Sequence, residues 1–339
     1  MRGLHIPGYS SYKALYFLIP LLIILPILFP SNYMISVFTQ IGIFSIVTLG
    51  LVLLMGYAGQ ISLGHAAFMG IGAYSSAILT VTYGMPVWLG IVLGMLISAA
   101  IAYIVGSQTL KLREHFLALA TLGFNIIVYI VLVGYGELTK GASGFLGIPK
   151  FQLFGFALTK EIHYYILIWV IVLLLAIISL NIVNSHIGRV LRGIHDSEIA
   201  TQSLGVNIAR YKLNIFVISA VYASLAGSLY AHYINFIAPA TFNISTSIEL
   251  LLMVAVGGSQ PIWGALIGST IVISLSEFIT PLLTKALGAK SEVKIVLFGA
   301  LLILVMMYIP KGFVSLLKYL VPAKKQKYSG LATTNKTEK

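Results

Sequence analysis

The stretch GYAGQISLGHAAFMGIGAYSSA, Gly56 to Ala77, sets Gln60, Ser62 and His65 among glycines at 56, 59, 64, 70 and 72. It lies inside a run, Ala14 to Leu110, that contains no Lys, Arg, Asp or Glu. An amide, a hydroxyl and an imidazole give hydrogen-bond donors and acceptors without net charge. A glycine-interrupted helix adds free N–H groups at one broken end and free C=O groups at the other. Such ends can hold a zwitterion, the N–H groups taking its carboxylate and the carbonyls its ammonium. Gln60, Ser62, Gly64 and His65 are therefore candidate lining residues for a path through a membrane. A second reading stays open: Gly64, Gly70 and Gly72, with Ala66, Ala67 and Ala73, are small enough to let helices pack closely. His65 is either a lining residue or a hydrogen-bonded structural one.

A weak repeat extends the candidates. Leu51, Gln60, Gly64, Ile71 and Ser76 recur two hundred residues on as Leu251, Gln260, Gly264, Ile271 and Ser276. Glycine-interrupted apolar segments in two halves of a chain point to a central binding site, so Gln260 and Gly264 join the set. Glu249 and Glu277 fall near the ends of apolar segments, where a carboxylate reaches water, while Asn125, Asn181, His232 and Asn235 read as bonds between helices.

Other chemistry is excluded. The histidines at 5, 65, 115, 163, 186, 195 and 232 never stand three or four apart, so no helix presents a metal pair. Cysteine is absent, which rules out disulfides and thiolate chemistry. The dipeptide Gly-Lys never occurs, so the chain has no phosphate loop and is not itself an ATPase. Apart from Lys294 at the edge of the last apolar segment, no lysine stands in an apolar span to make a Ser-Lys dyad, so an intramembrane enzyme is disfavoured.

The elements that must position these residues are membrane helices. Hydrophobic residues make up 59% of the chain, charged ones 9%, and the mean hydropathy is +0.99. Spans are expected near 14–30, 34–55, 63–82, 87–107, 116–134, 163–183, 213–235, 246–257, 262–280 and 293–310. The eighth is too short to cross alone, so the all-α polytopic fold has about ten spans, eight to ten. One membrane domain covers 1–317, followed by a basic tail, 318–339, that reads as disordered. The net charge of +12 does not indicate nucleic acid, because the charges sit in loops. Arg2 and Lys13, Lys111 and Arg113, Arg189, Arg192, Arg210 and Lys212, and the lysine-rich tail all fall on one side, which places both termini in the cytoplasm. The first span lacks a small-residue cleavage site and reads as a retained helix.

Two loops are long. The outward one covers 135–162, and the inward one, 184–212, carries Val190, Leu191 and Ile194 at helical spacing against Arg189, Arg192 and His195. Asp196 or Ser197 can cap a second short helix ending near Leu204, Gly205 is a natural stop, and Asn207 caps the next span. Such a pair either forms a knob that lodges in a partner's groove or lies on the membrane surface.

GYAGQISLGHAAFMGIGAY resembles the signature of the branched-chain amino acid ABC transporter permeases, of the Liv M subunit type. KLREHFLALATL (Lys111 to Leu122), LTKGASGFLGIP (Leu138 to Pro149) and Ile194 to Ala231 resemble three further segments of that family, and the likeness covers most of Phe38 to Glu277. The resemblance implies an importer of branched-chain amino acids, or of other amino acids, urea or amides, working by alternating access in the cell membrane. It implies a second permease subunit of the Liv H type, two ATPases that hold the ATP and magnesium, and an external binding protein, with no cofactor on this chain. On the family's pattern, Arg189, Arg192, Asp196, Glu198, Ala200 and Gly205 form the ATPase coupling loop. The family's Glu-Ala-Ala-x-x-x-Gly spacing is altered at Glu198 to Gly205, Lys140, Ala142 and Ser143 depart from its outward loop, and Ser259-Gln260-Pro261 replaces a Gly-rich turn. The alternative of another class is a secondary carrier or channel acting alone.

Overall fold

The computed structural model describes residues 8–110, 114–153, 156–260 and 262–279, with isolated positions between 299 and 313. Most of the tenth expected span, 293–310, and all of the tail at 318–339 fall outside the described residues.

The other nine expected spans are helices. Helix α1, Gly8–Leu28, starts earlier than its apolar run and carries Pro20 and Pro26 within it. Helix α2, Asn32–Leu51, continues as a π-helical turn, Val52–Tyr57. Helices α3, His65–Val81, α4, Val87–Thr109, and α5, Glu114–Gly134, follow. The 135–162 loop holds a one-turn helix α6, Gly136–Thr139, and three two-residue strands, β1, Phe145–Leu146, β2, Gln152–Leu153, and β3, Phe156–Ala157. Helix α7, Glu161–Asn184, leads into the short α8, His186–Asp196, and α9, Glu198–Ser203. The long α10, Ile208–Ile234, ends in β4, Phe236–Ile237, and the described chain closes with α11, Ile244–Gly257, and α12, Trp263–Ser274, which passes into a π turn, Leu275–Ile279.

Five helices, α2 with its π turn, α4, α5, α7 and α10, are long and apolar enough to cross a membrane. Their burial sorts them: 83% of the most apolar part of α2 is inside the protein, against 22% for α5, so α2 forms the core and α5 turns its side chains outward. Helix α10 has the lowest hydropathy of the five, yet Ser219, Ser224, Ser228 and His232 are all buried on it. These groups face neighbouring helices, where a polar side chain finds a partner that lipid cannot give.

Small residues bring the central helices together. Ser224 Oγ donates to Gly94 O at 3.1 Å and Ser228 Oγ to Gly72 O at 3.0 Å, tying α10 to α4 and α3. A Cβ on Gly72 would overlap Ser224, and one on Gly227 would overlap the Met69 carbonyl. A Cβ on Gly70 would meet Phe242 at 3.0 Å. The later glycines of the opening stretch are thus packing residues. Ser45 and Ser269 share a 2.6 Å hydrogen bond that joins α2 to α12.

The 135–162 loop is tied down at one end of α10. Strand β1 pairs antiparallel with β4, Phe145 opposite Ile237, and β2 pairs with β3. His232 bridges Ser76 Oγ at 2.7 Å and the Pro149 carbonyl at 2.8 Å, and Asn235 Nδ2 donates to Ile148 O at 2.9 Å.

Candidate functional site

The chain breaks where the glycines fall. Beyond the π turn, Gln60 N donates to Leu54 O at 3.1 Å, Gly59 takes φ +68°, and residues 60 to 64 leave the helix before α3 restarts at His65. A left-handed φ is strained for any residue with a Cβ, which explains the glycine at 59.

Four predicted lining residues gather in this break. Gln60, Ser62 and His65 are 1%, 2% and 1% exposed, and Gly64 is the cap residue of α3. Ser219 Oγ donates to the Phe216 carbonyl at 2.8 Å, so the 3.0 Å contact from His65 Nε2 to Ser219 Oγ places the ring proton on Nε2. His65 Nδ1 is then the acceptor in its 3.1 Å contact with Ser62 Oγ. His65 is thus a satisfied neutral bridge between the break and α10. Gln60 Nε2 donates to Ala58 O at 3.3 Å, while its buried Oε1 has no partner.

The first turn of α3 is capped from outside. Gly64 has no side chain to offer, and a Cβ there would meet the Thr121 carbonyl at 3.1 Å. Thr121 Oγ1 on α5 accepts from Leu63 N at 3.0 Å, and Ser247 Oγ on α11 accepts from Ala66 N at 3.3 Å. Asn125 Nδ2 reaches the same place, donating to Ser247 Oγ at 2.8 Å, Leu63 O at 3.4 Å and Asn243 O at 3.5 Å.

Gln260 and Gly264 do not join this cluster. Gln260 is exposed at the turn between α11 and α12, and Gly264 is buried inside that hairpin, where a Cβ would overlap the Gly258 carbonyl. Gly257, Gly264 and Gly268 let the two arms approach backbone to backbone. The two repeat-related segments still meet, because a Cβ on Gly56 would overlap the Ser259 carbonyl at the hairpin tip.

The 184–212 loop folds as two capped helices. Ser185 caps α8, Ser197 rather than Asp196 caps α9, with Ala200 N at 3.3 Å, and Asn207 caps α10, with Arg210 N at 3.2 Å. Gly205 takes φ +79° at the stop between α9 and α10. Val190, Leu191 and Ile194 are buried, so α8 is packed onto the protein by its apolar face. Arg189, Asp196, Ala200 and Gly205 are exposed, and Arg192 is half-buried. Glu198 is engaged internally: its Oε1 lies 2.6 Å from Lys212 Nζ. At the C-terminal end of α8, His195 abuts the break, its Cδ2 3.4 Å from where a Cβ on Gly59 would stand.

The family model of the branched-chain amino acid transport system permease component matches residues 33–306. The chain belongs to this family. It is 32% identical over 329 residues to the LivM permease protein of the high-affinity branched-chain amino acid transport system of Salmonella typhimurium, covering 89% of this chain and 75% of that one. It is 27% identical over 230 residues to a probable LivH permease protein of Methanocaldococcus jannaschii, covering 64% and 71%. It is also 24% identical over 272 residues to the ribose import permease protein RbsC of Haemophilus influenzae, covering 77% and 82%. No solved structure matches.

The permease presents features that residue types alone did not single out. Ile199 and Leu204, 81% and 83% exposed, stand on and just after α9, where the sequence drew attention to charges. Thr121 and Ser247 carry the α3 cap from helices α5 and α11, more than fifty residues away in the chain. Glu249 and Glu277 line one cavity of about 350 Å³ with Gln40, Tyr230, Asn243 and Thr246, and Glu277 Oε2 also accepts from Tyr33 Oη at 3.4 Å. A second cavity, about 570 Å³, opens beside α9 between Leu110, Glu198, Gly205, Asn207 and Lys212. Asn181 accepts from Tyr12 Oη at 2.7 Å and is an interhelical bond as expected.

Proposed function

We propose that this permease is one of two membrane subunits of an ATP-driven importer for branched-chain or other apolar amino acids. Two partner ATPases dock on the 184–212 loop, an external binding protein delivers the solute to the 135–162 side, and both termini face the cytoplasm. The Liv H type relative supports a paired subunit. ATP and magnesium act on the ATPases, and this chain binds no cofactor of its own.

The observation that carries the reading is a run of contacts from loop to path. His195 of α8 sits on Gly59, Gly56 at the same break sits on Ser259, and Ser259 tips the α11–α12 hairpin that caps α3 through Ser247. A push on α8 is thereby relayed to the break and the hairpin, each a packed unit with little room to deform. Rocking of these units gives alternating access around Gln60, Ser62, Gly64 and His65.

Uptake of labelled leucine by cells with and without this gene tests the reading, with valine, urea, acetamide and ribose as competitors and an ATP-depleted control. The expected result is ATP-dependent leucine uptake that valine suppresses. Ribose belongs among the competitors because a ribose permease is a relative. Uptake that survives ATP depletion would instead support a carrier acting alone.

A further inference from the structure

The Ser247 hydroxyl on α11 accepts two hydrogen bonds at one point, from Ala66 N in the first turn of α3 and from Asn125 Nδ2 on α5. Two donors converging at a helix N-terminus suit an acceptor with negative charge better than a hydroxyl, because the helix end carries partial positive charge. Ser185, Ser197, Asn207 and Asn243 cap α8, α9, α10 and α11 with their own side chains, whereas α3, like α2, α4, α7 and α12, has no side-chain cap of its own, and it begins at a glycine.

Asn125 adds an independent pointer. It is 0% exposed, and carbonyls of Leu63 and Asn243 near its nitrogen fix which arm of the amide is the NH2. Its other arm, Oδ1, is buried with no partner, a costly state for an acceptor in a membrane protein. An ammonium group would satisfy it. Apolar surface stands alongside: the Phe124 ring lies 3.5 Å from where a Cβ on Gly64 would be, and its ring centre is 5.0 Å from that of Phe68.

We propose that Ser247 here occupies the seat of the transported amino acid's carboxylate. When the α11–α12 hairpin shifts off α3, Ala66 N–H and Asn125 Nδ2 take the carboxylate, Asn125 Oδ1 takes the ammonium, and Phe124 and Phe68 receive the apolar side chain. The inference rests on the importer reading and names the substrate chemistry at its path.

The chain contains no cysteine, so Ser247→Cys gives this chain a single thiol in the complete importer in lipid nanodiscs. Labelling by the small anionic reagent sulfonatoethyl methanethiosulfonate is followed in each nucleotide state, with the unsubstituted complex as background. The expected result is labelling in at least one state, slowed at least fivefold by millimolar leucine and unaffected by isoamylamine, which has the same carbon chain without the carboxylate. A transporting Ser247→Cys complex that is never labelled, or whose labelling both compounds slow equally or neither slows, overturns the seat. Asn125→Asp is the second test. An anion beside the seat should raise the KM for leucine at least tenfold with the subunits still co-purifying, and an unchanged KM overturns the proposal. Leucine uptake by the unsubstituted complex is measured in parallel: no amino acid uptake there overturns the importer reading itself and the seat with it, whereas normal uptake without leucine-specific protection overturns the seat alone.

Discussion

Lys212 and Glu198 meet at 2.6 Å across the joint between α9 and α10, the lysine side chain 5% exposed and the glutamate 40%. The pair welds the short helix α9 to the long helix α10. Its two ends differ in what removal leaves behind. Glu198→Gln leaves a buried ammonium without its counter-charge, which costs about 3–5 kcal/mol, while Lys212→Met leaves a carboxylate that can turn to water, costing about 1 kcal/mol or less. Thermal unfolding of the solubilised complex should therefore fall further for Glu198→Gln than for Lys212→Met. If Glu198 served only as a docking charge, both variants would unfold like the parent.

Gly56 and Gly59 stand at one break but answer to different constraints. Gly59→Ala meets His195 at an ordinary contact distance of 3.4 Å, so its cost is the left-handed backbone, roughly 1 kcal/mol. The complex should assemble and hydrolyse more ATP per solute carried. Gly56→Ala drives a Cβ into the backbone carbonyl of Ser259, which no rotamer change relieves. It should fail to give a monodisperse complex on size-exclusion chromatography. Equal behaviour of the two variants would refute the geometry.

Ile199 and Leu204 are the most exposed large apolar residues of the 184–212 loop. A monomer in water gains nothing from such side chains, whereas a partner's groove would bury each for about 1.5–3 kcal/mol. Ile199→Asp and Leu204→Asp should each cut ATPase recovery on co-purification at least tenfold while membrane insertion stays normal. Full recovery would move the docking surface elsewhere, with the cavity beside Gly205 and Lys212 the next candidate.

The sequence made the helices legible because a membrane demands long apolar runs, and it made the loop caps legible because Ser197, Gly205 and Asn207 act on their immediate neighbours. Contacts between distant segments were not. Gly264 looked like a partner of Gly64 by position in a repeat, yet it closes a hairpin, since a glycine's role depends on which backbone passes it. Glu198 resembled a docking charge, and only the fold brings Lys212 to it. Asn125 and Ser247 stand 122 residues apart, so no local pattern could join them.

His232 and Asn235 pin the 145–157 segment to the end of α10, and the two can be told apart by substitution. Asn235 takes φ +62° and its Nδ2 donates to the Ile148 carbonyl at 2.9 Å. Asn235→Gly keeps the left-handed turn and loses only the side-chain bonds, to Ile148 O and to His232 O, about 1–2 kcal/mol; Asn235→Ala loses them too and adds roughly 1 kcal/mol of backbone strain. His232→Phe leaves Ser76 Oγ and the Pro149 carbonyl without their buried partner, about 1–3 kcal/mol. Amide hydrogen exchange at Phe151, whose N–H donates to Tyr164 Oη at 2.8 Å, reads the loosening directly. Protection there should fall least for Asn235→Gly, more for Asn235→Ala and most for His232→Phe. In the importer the same order should appear in weakened affinity for the external binding protein, because a mobile loop must be ordered before it can be bound. Loosened exchange with unchanged binding-protein affinity would show that the 135–162 loop lies outside the docking face.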